Sequence, residues 1–260
     1  MTDCERISRI TNLIAQQREG DPNGGLGAWV SLTRKYVCMP IPKIACTTAK
    51  AVLLHLEGAG LPEEEVWRVH EPTRGTHLSD LALSQAVEAL ASPDWFRFAF
   101  VRNPYDRILS AYKSKLGNPN DTQYEWLRAE VRATFGYPDR EGLPPTVAFR
   151  DFVRYLSGRP EHAWHDGHFN AQTDILAEHL ITYDFIGRFE SFQADFGKVL
   201  TRMGADQEAI DMKKVVRNPS NWTPAPWAYD PELAETVCEL YRSDFERFGY
   251  AAESWMYPFG

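Results

Sequence analysis

Cysteine is scarce and unpatterned in this chain. Of 260 residues only four are cysteines, Cys4, Cys38, Cys46 and Cys238, with no CxxC pair and no metal-ligand spacing. Structural metal clusters are therefore not expected, and reduced thiols are. No stretch reaches the roughly 18 apolar residues of a membrane span, and residues 1–20 are too polar for a signal peptide. A soluble, cytoplasmic protein with no membrane span is the expectation. Positive charge is in deficit, with 28 Lys and Arg against 36 Asp and Glu and a formal net charge of −8. That balance argues against a general nucleic-acid or polyanion binder, although a local basic cleft can coexist with an acidic exterior. Repeats, low-complexity tracts and composition breaks are all absent. A single domain over residues 1–260 is expected, and a 43% hydrophobic content can supply its core. The composition does not indicate an oligomeric state.

What is present is organised around residues 36–50, YVCMPIPKIACTTAK. Val37, Met39 and Ile41 alternate with other residues, and Pro40 and Pro42 cannot donate to a sheet ladder. An extended segment should stop there, with Lys43 at its end. Thr47 or Thr48 is expected to cap a helix through Ala51, Val52, Leu53 and Leu54 to about Glu57, with Gly58 and Gly60 ending it. A strand, a tight turn and a helix N-terminus gather backbone N–H groups at the positive end of a helix dipole, and Lys43 adds a full charge. Phosphate or sulfate is the ligand such a site suits. The ATP-binding pattern GxxxxGK[ST] is missing, since the lysine comes before the turn and neither glycine is there. Taken alone, the segment reads equally well as a solvated lysine ahead of a capped helix.

A second segment, residues 95–115, repeats the arrangement. Phe96, Phe98, Phe100 and Val101 read as a buried strand, Asn103-Pro104 as a turn, and Asp106 to about Lys115 as a helix with Tyr105, Ile108, Leu109 and Tyr112 on its buried face. Arg102 lies at the strand end and Ser110 on the helix. Were the two strands parallel neighbours, Lys43 and Arg102 would emerge on the edge where open α/β folds bind ligands.

Elsewhere the pattern predicts an opening helix over residues 6–18 with Ile7, Ile10, Leu13 and Ile14 on one face. A charged, irregular stretch over 63–80 leaves His70 and His77 at the surface, and a helix follows over 81–90. Residues 117–145 are the least regular, with a polar turn at 118–121 and a helix over 124–135; a variable loop there would suit acceptor selection. Thr146 is expected to cap a helix over 147–156 with Phe149, Phe152, Val153 and Leu156 inward. Residues 161–170, EHAWHDGHFN, hold three histidines, but Gly167 breaks any continuous helical face for a metal. A strand over 183–188, a helix over 192–203 and an amphipathic helix over 231–248 complete the order. Trp222, Trp227 and Tyr229 read either as a sugar platform or as packing for their own loop.

The pair PKIACTT and FVRNPYDRILSAY closely resembles the two signature loops of the carbohydrate sulfotransferases related to the chondroitin and HNK-1 enzymes. TVAFRDFVRYL, ITYDFIGRFESF and YRSDFERFGY look similar too, so the likeness covers a core of about residues 34–250 behind an arm of 1–33. The resemblance implies an α/β, P-loop-like sulfotransferase fold with a central, mostly parallel sheet flanked by helices. It implies 3′-phosphoadenosine 5′-phosphosulfate (PAPS) as donor, PAP as product and no required metal. Lys43, the amides of Ile44, Ala45, Cys46, Thr47 and Thr48 and the two threonine hydroxyls would meet the phosphosulfate; Cys46 itself reads as a small loop residue. Arg102 and Ser110 would take the 3′-phosphate, and Asn218 and Ser220 match an N-x-S segment near the nucleotide. His168 matches the family's acceptor base, with His165 next in line. Here the usual tryptophan after that histidine is Phe169, and the usual proline two residues on is absent. The acceptor implied is a hydroxyl of a glycan or glycoconjugate. A cytoplasmic member departs from the Golgi-anchored eukaryotic enzymes and fits a bacterial relative. Two alternatives remain open: a nucleotide-dependent, kinase-like phosphotransferase, and a noncatalytic PAP- or glycan-binding module.

Overall fold

In the computed structural model, residues 2–20, 27–71, 73–117, 122–138, 146–159, 166–212 and 228–257 are described. Helix α1 (Asp3–Gly20) precedes strands β1 (Trp29–Ser31) and β2 (Tyr36–Met39), then α2 (Cys46–Leu56), β3 (Thr76–His77), α3 (Leu83–Ala91) and β4 (Phe96–Val101). Helices α4 (Pro104–Lys115), α5 (Glu125–Thr134), α6 (Phe149–Ser157) and α7 (Gln172–Leu176) follow. The chain continues through β5 (Phe185–Arg188), α8 (Phe192–Arg202), α9 (Gln207–Met212), α10 (Pro231–Leu240) and α11 (Arg242–Phe248). By contacts the chain forms two units, Met1–Val101 with Gln172–Pro219, and Arg102–Ala171 with Ser220–Gly260.

The first unit is built on a sheet of order β3-β1-β2-β4-β5. It is mixed: β2, β4 and β5 run parallel, whereas β1 pairs antiparallel with both β2 and β3. Within the parallel half β2 and β4 are buried on both faces, which is why their sequences run apolar without alternation. All four residues of β2 are buried, as are the last five of β4. β2 pairs with β4 in the register Tyr36↔Phe96 to Met39↔Ala99, so the chain leaves both strands on the same edge of the sheet. Strands β1 and β3 have three and two residues, too few to print an alternation in the sequence, and neither was legible there. Beneath the sheet Phe100 meets Phe192 and Phe196 at centroid distances of 5.0 and 5.7 Å. Arg97 is the one cation within β4. It stays buried because Nη1 donates to Leu90 O and Ser92 O and Nη2 lies 3.5 Å from Asp184.

The second unit is helical. Asn103 caps α4 by accepting from Tyr105 N at 3.0 Å, and Pro104 occupies the first helical position, where its missing N–H costs nothing. The helix therefore starts ahead of the expected Asp106. Tyr105 packs edge-on against Tyr229 and Phe245, and α10 lies against α4 and α6. Two other expectations are corrected here. Thr146 does not cap α6, whose boundary residue is Ala148. The single helix over 231–248 is two, because Tyr241 at φ −115° and ψ 30° interrupts it while its hydroxyl donates to Phe169 O at 2.8 Å. Among the described residues, no helix is long and apolar enough to cross a membrane.

Candidate functional site

The loop between β2 and α2 takes a backbone path that side chains normally resist. Lys43 has φ 73° and Ala45 φ 46°, with Ile44 between them at negative φ. Left-handed conformations cost a non-glycine residue about 1–2 kcal/mol each, and such strain collects at binding sites. Alternating handedness turns successive N–H groups toward one concave side, which is how backbone makes an anion nest. α2 then opens at Cys46, and its first ladder bond runs from Ala49 N to Ala45 O at 3.0 Å. The N-terminus of a helix is the positive end of its dipole, and α2 turns that end toward this loop. Lys43, Ile44 and Ala45 thus form a loop of alternating handedness that runs directly into Cys46, Thr47 and Thr48 in the first turn of α2.

Three details of this loop differ from expectation. Neither Thr47 nor Thr48 caps the helix; Ala45 stands at the boundary with no side-chain cap, and both threonines fall inside the first turn. Thr47 Oγ1 instead lies 2.9 Å from Nε2 of His70, which is exposed as expected yet reaches this loop. Cys46 is more than a small residue, for its thiol donates to Ile41 O at 2.8 Å across the loop. The second lysine of the segment, Lys50, has its Nζ 4.8 Å from the Trp29 ring centroid, and burial lowers its pKa.

Arg102, Ser110 and His168 lie in the other unit. Arg102 is 2% exposed and sits just before the Asn103 cap, and Ser110 is buried in the second turn of α4. Burial pushes the Tyr229 hydroxyl pKa up, against the lowering charge of Arg102 nearby. A guanidinium cannot shed its charge, so burying one commits the fold to anionic or carbonyl company.

His168 follows a tight turn. Asp166 Oδ1 accepts from the His168 backbone N at 2.9 Å and lies 2.6 Å from its Nδ1, while Oδ2 accepts from Tyr124 OH at 2.6 Å. Burial alone would raise the Asp166 pKa; the hydrogen bond and charge of His168, with the Tyr124 bond, outweigh it and hold the group at about 2. Arg107, 1% exposed, brackets the same turn by donating to Gly167 O at 2.7 Å and Asn170 O at 2.8 Å. Sequence reasoning missed Asp166, Tyr124 and Arg107. The only local trace was the D-x-H spacing of Asp166 and His168, which lets one carboxylate reach both backbone and ring. His165, Asn218, Ser220, Trp222, Trp227 and the turn at 118–121 lie outside the described residues. Among the described residues no cluster of His, Cys, Asp and Glu could hold a metal ion.

Comparison with known proteins places these features in context. The sulfotransferase family profile matches residues 27–251. The chain is 31% identical over 228 residues to carbohydrate sulfotransferase 14 of Danio rerio, an overlap of 81% of this chain and 58% of that protein. It is 32% identical over 222 residues to carbohydrate sulfotransferase 10 of Rattus norvegicus, covering 78% and 61%. The corresponding protein of Gallus gallus is 32% identical over 180 residues, covering 64% and 49%. The chain thus spans about half to three-fifths of the length of the curated relatives it matches. No solved structure matches.

Proposed function

The chain belongs to the sulfotransferase family, and from that premise we propose that it transfers a sulfuryl group from PAPS to a hydroxyl of a carbohydrate or glycoconjugate. The observation that carries this reading is the β2–α2 loop, a left-handed turn with Lys43 running into a helix N-terminus. It fits a phosphosulfate in charge and in backbone donors without the glycines of an ATP loop. PAPS, when bound, supplies the sulfuryl group and leaves as PAP.

The remaining work falls to the chain's own side chains. Lys43 stabilises the negative charge that gathers on the leaving phosphate oxygen, and the first-turn amides of α2 hold the nonbridging oxygens; each such donor is typically worth about 3 kcal/mol. Arg102 and Ser110 bind the 3′-phosphate, which orients the donor and discriminates against ATP, whose ribose lacks that group. His168 takes the proton of the acceptor hydroxyl, a task suited to imidazole near neutral pH.

Isothermal titration with PAP, in parallel with ATP and without Mg²⁺, tests the donor site independently of the acceptor. Micromolar PAP affinity is expected, with ATP at least about tenfold weaker. Arg102→Ala should lower PAP affinity, while Lys43→Ala should cut turnover of labelled PAPS by about 10²-fold or more with a smaller loss of affinity. No heat with PAP overturns the reading, and equal affinity for ATP points to a phosphotransferase instead.

A further inference from the structure

The turn that carries His168 is held by more hydrogen bonds than a loop needs in order to close, and they converge on one imidazole. Asp166 spends both carboxylate oxygens: Oδ1 on the backbone N and the Nδ1 of His168, Oδ2 on Tyr124 OH. Three backbone carbonyls of the same turn accept from buried side chains, Gly167 O and Asn170 O from Arg107 and Phe169 O from Tyr241. The Tyr124 ring stands edge-on to His168 and Phe169, at 6.4 and 6.2 Å between centroids. Lys115 Nζ caps that ring at 4.8 Å from its centroid. The turn is thus fixed from outside, by Tyr124, Arg107 and Tyr241, and the imidazole is oriented from within it, by Asp166.

An ionised carboxylate can only accept hydrogen bonds. At 2.6 Å from Asp166 Oδ1, Nδ1 must therefore carry the hydrogen, which leaves the lone pair of the neutral ring on Nε2. We propose that Asp166, anchored by Tyr124, is the positioning residue of the active site, holding His168 in the Nδ1–H tautomer so that Nε2 accepts the proton of the acceptor hydroxyl. This rests on the reading of His168 as base. The proton arriving on Nε2 makes an imidazolium whose charge is balanced by the Asp166 carboxylate, and water carries it off afterwards. Arg107 and Tyr241 keep the turn rigid, so the ring does not have to be ordered anew in each cycle.

Asp166→Asn tests this sharply, because an amide N–H facing Nδ1 favours the opposite tautomer with little change of shape. The full-length protein, labelled with ¹⁵N at histidine, reports each ring's tautomer by two-bond proton–nitrogen correlation, with His168 assigned by its loss in His168→Ala. The expected result is Nδ1–H at His168 in the wild type and Nε2–H in Asp166→Asn. Turnover should fall by about 10²-fold or more at unchanged PAP affinity, and Asp166→Glu should restore part of it. Tyr124→Phe, which keeps the ring, should preserve the tautomer and lower turnover by about 3–10-fold.

An Nε2–H tautomer in the wild type overturns the proposal, as does Asp166→Asn turnover within about twofold of wild type. Full turnover in His168→Ala overturns it from the other side, while intact PAP binding in that variant leaves the donor site standing. The spectrum requires neither donor nor acceptor, so it reads the positioning contact even where PAP fails to bind, which is the outcome that overturns the functional reading.

Discussion

Asp166 is the residue whose surroundings make the clearest statement about pH. Its carboxyl titrates at about 2 in the folded protein, held down by His168 and Tyr124 against the opposing effect of burial. An unfolded Asp titrates near pH ~3.9, so between about pH 4 and pH 2 the unfolded state binds more protons and stability rises with pH. The contribution is fully present above that window, at about 2 kcal/mol, and is lost as pH falls through it. Denaturant unfolding of the wild type and Asp166→Asn between pH 2 and 7 should show a stability gap at pH 5–7 that closes toward pH 2. A gap independent of pH would mean that Asp166 is not ionised against His168 in the fold. The same residue shows why sequence reading stopped short here. His168 was found through its neighbours in a family pattern, whereas its partners Asp166, Tyr124 and Arg107 matter through hydrogen bonds that no local motif announces.

At the scale of an element, α2 carries opposite devices at its two ends. Its C-terminus closes with Gly58 at φ 74°, Gly58 N bonding to His55 O and Ala59 N to Leu54 O, the paired bonds of a Schellman turn. That glycine was legible as a stop, since only glycine takes this conformation without penalty. A Cβ at Gly58 would meet nothing within 4 Å, so Gly58→Ala should cost only the conformational term, about 1 kcal/mol in chemical denaturation. The N-terminus does the reverse and places Ala45 in the same left-handed region. Ala45→Gly should stabilise by up to about 1 kcal/mol, with relief of strain partly offset by the freer unfolded chain. Destabilisation by Ala45→Gly would show that the loop is not strained there. The threonine cap was misjudged because apolar periodicity locates a helix but not its first residue. Thr47 is occupied by His70, 23 positions along the chain, and not by its own helix.

Across the whole molecule, the sheet's parallel half sets where the loops leave it, and its packing explains a glycine in YDFIGRFE. Gly187 pairs with Phe100 across β4 and β5, and a Cβ there would stand 2.5 Å from Phe100 Cε1 and 2.9 Å from Phe185 Cε1. Phe100 is itself wedged against Phe192 and Phe196 and has little room to yield. Gly187→Ala should therefore cost about 1–3 kcal/mol, read as a lowered denaturant midpoint with unchanged slope. Wild-type stability would mean that the Phe100 ring repacks. The glycine could be noticed in the sequence, but its reason is a ring from another strand.

By itself the sequence determined the family, the strands β2 and β4, the helices that follow each of them, and the loop that bears Lys43. Those features rest on local chemistry: continuous apolar runs, prolines that end a strand, an Asn-Pro pair that marks a turn ahead of a helix, and a glycine that closes one. Only the tertiary structure decided the left-handed turn at Lys43 and Ala45, the short antiparallel strands β1 and β3, the break at Tyr241, and the Tyr124–Asp166–His168 chain with its Arg107 clamp. The physical reason is reach. A hydrogen bond from Arg107 to Asn170 or from Tyr241 to Phe169 spans dozens of residues, and its donors sit in or beside helices whose periodicity reads only as core. Sequence periodicity reports which face is buried; which polar group a buried side chain meets is settled only when distant elements pack.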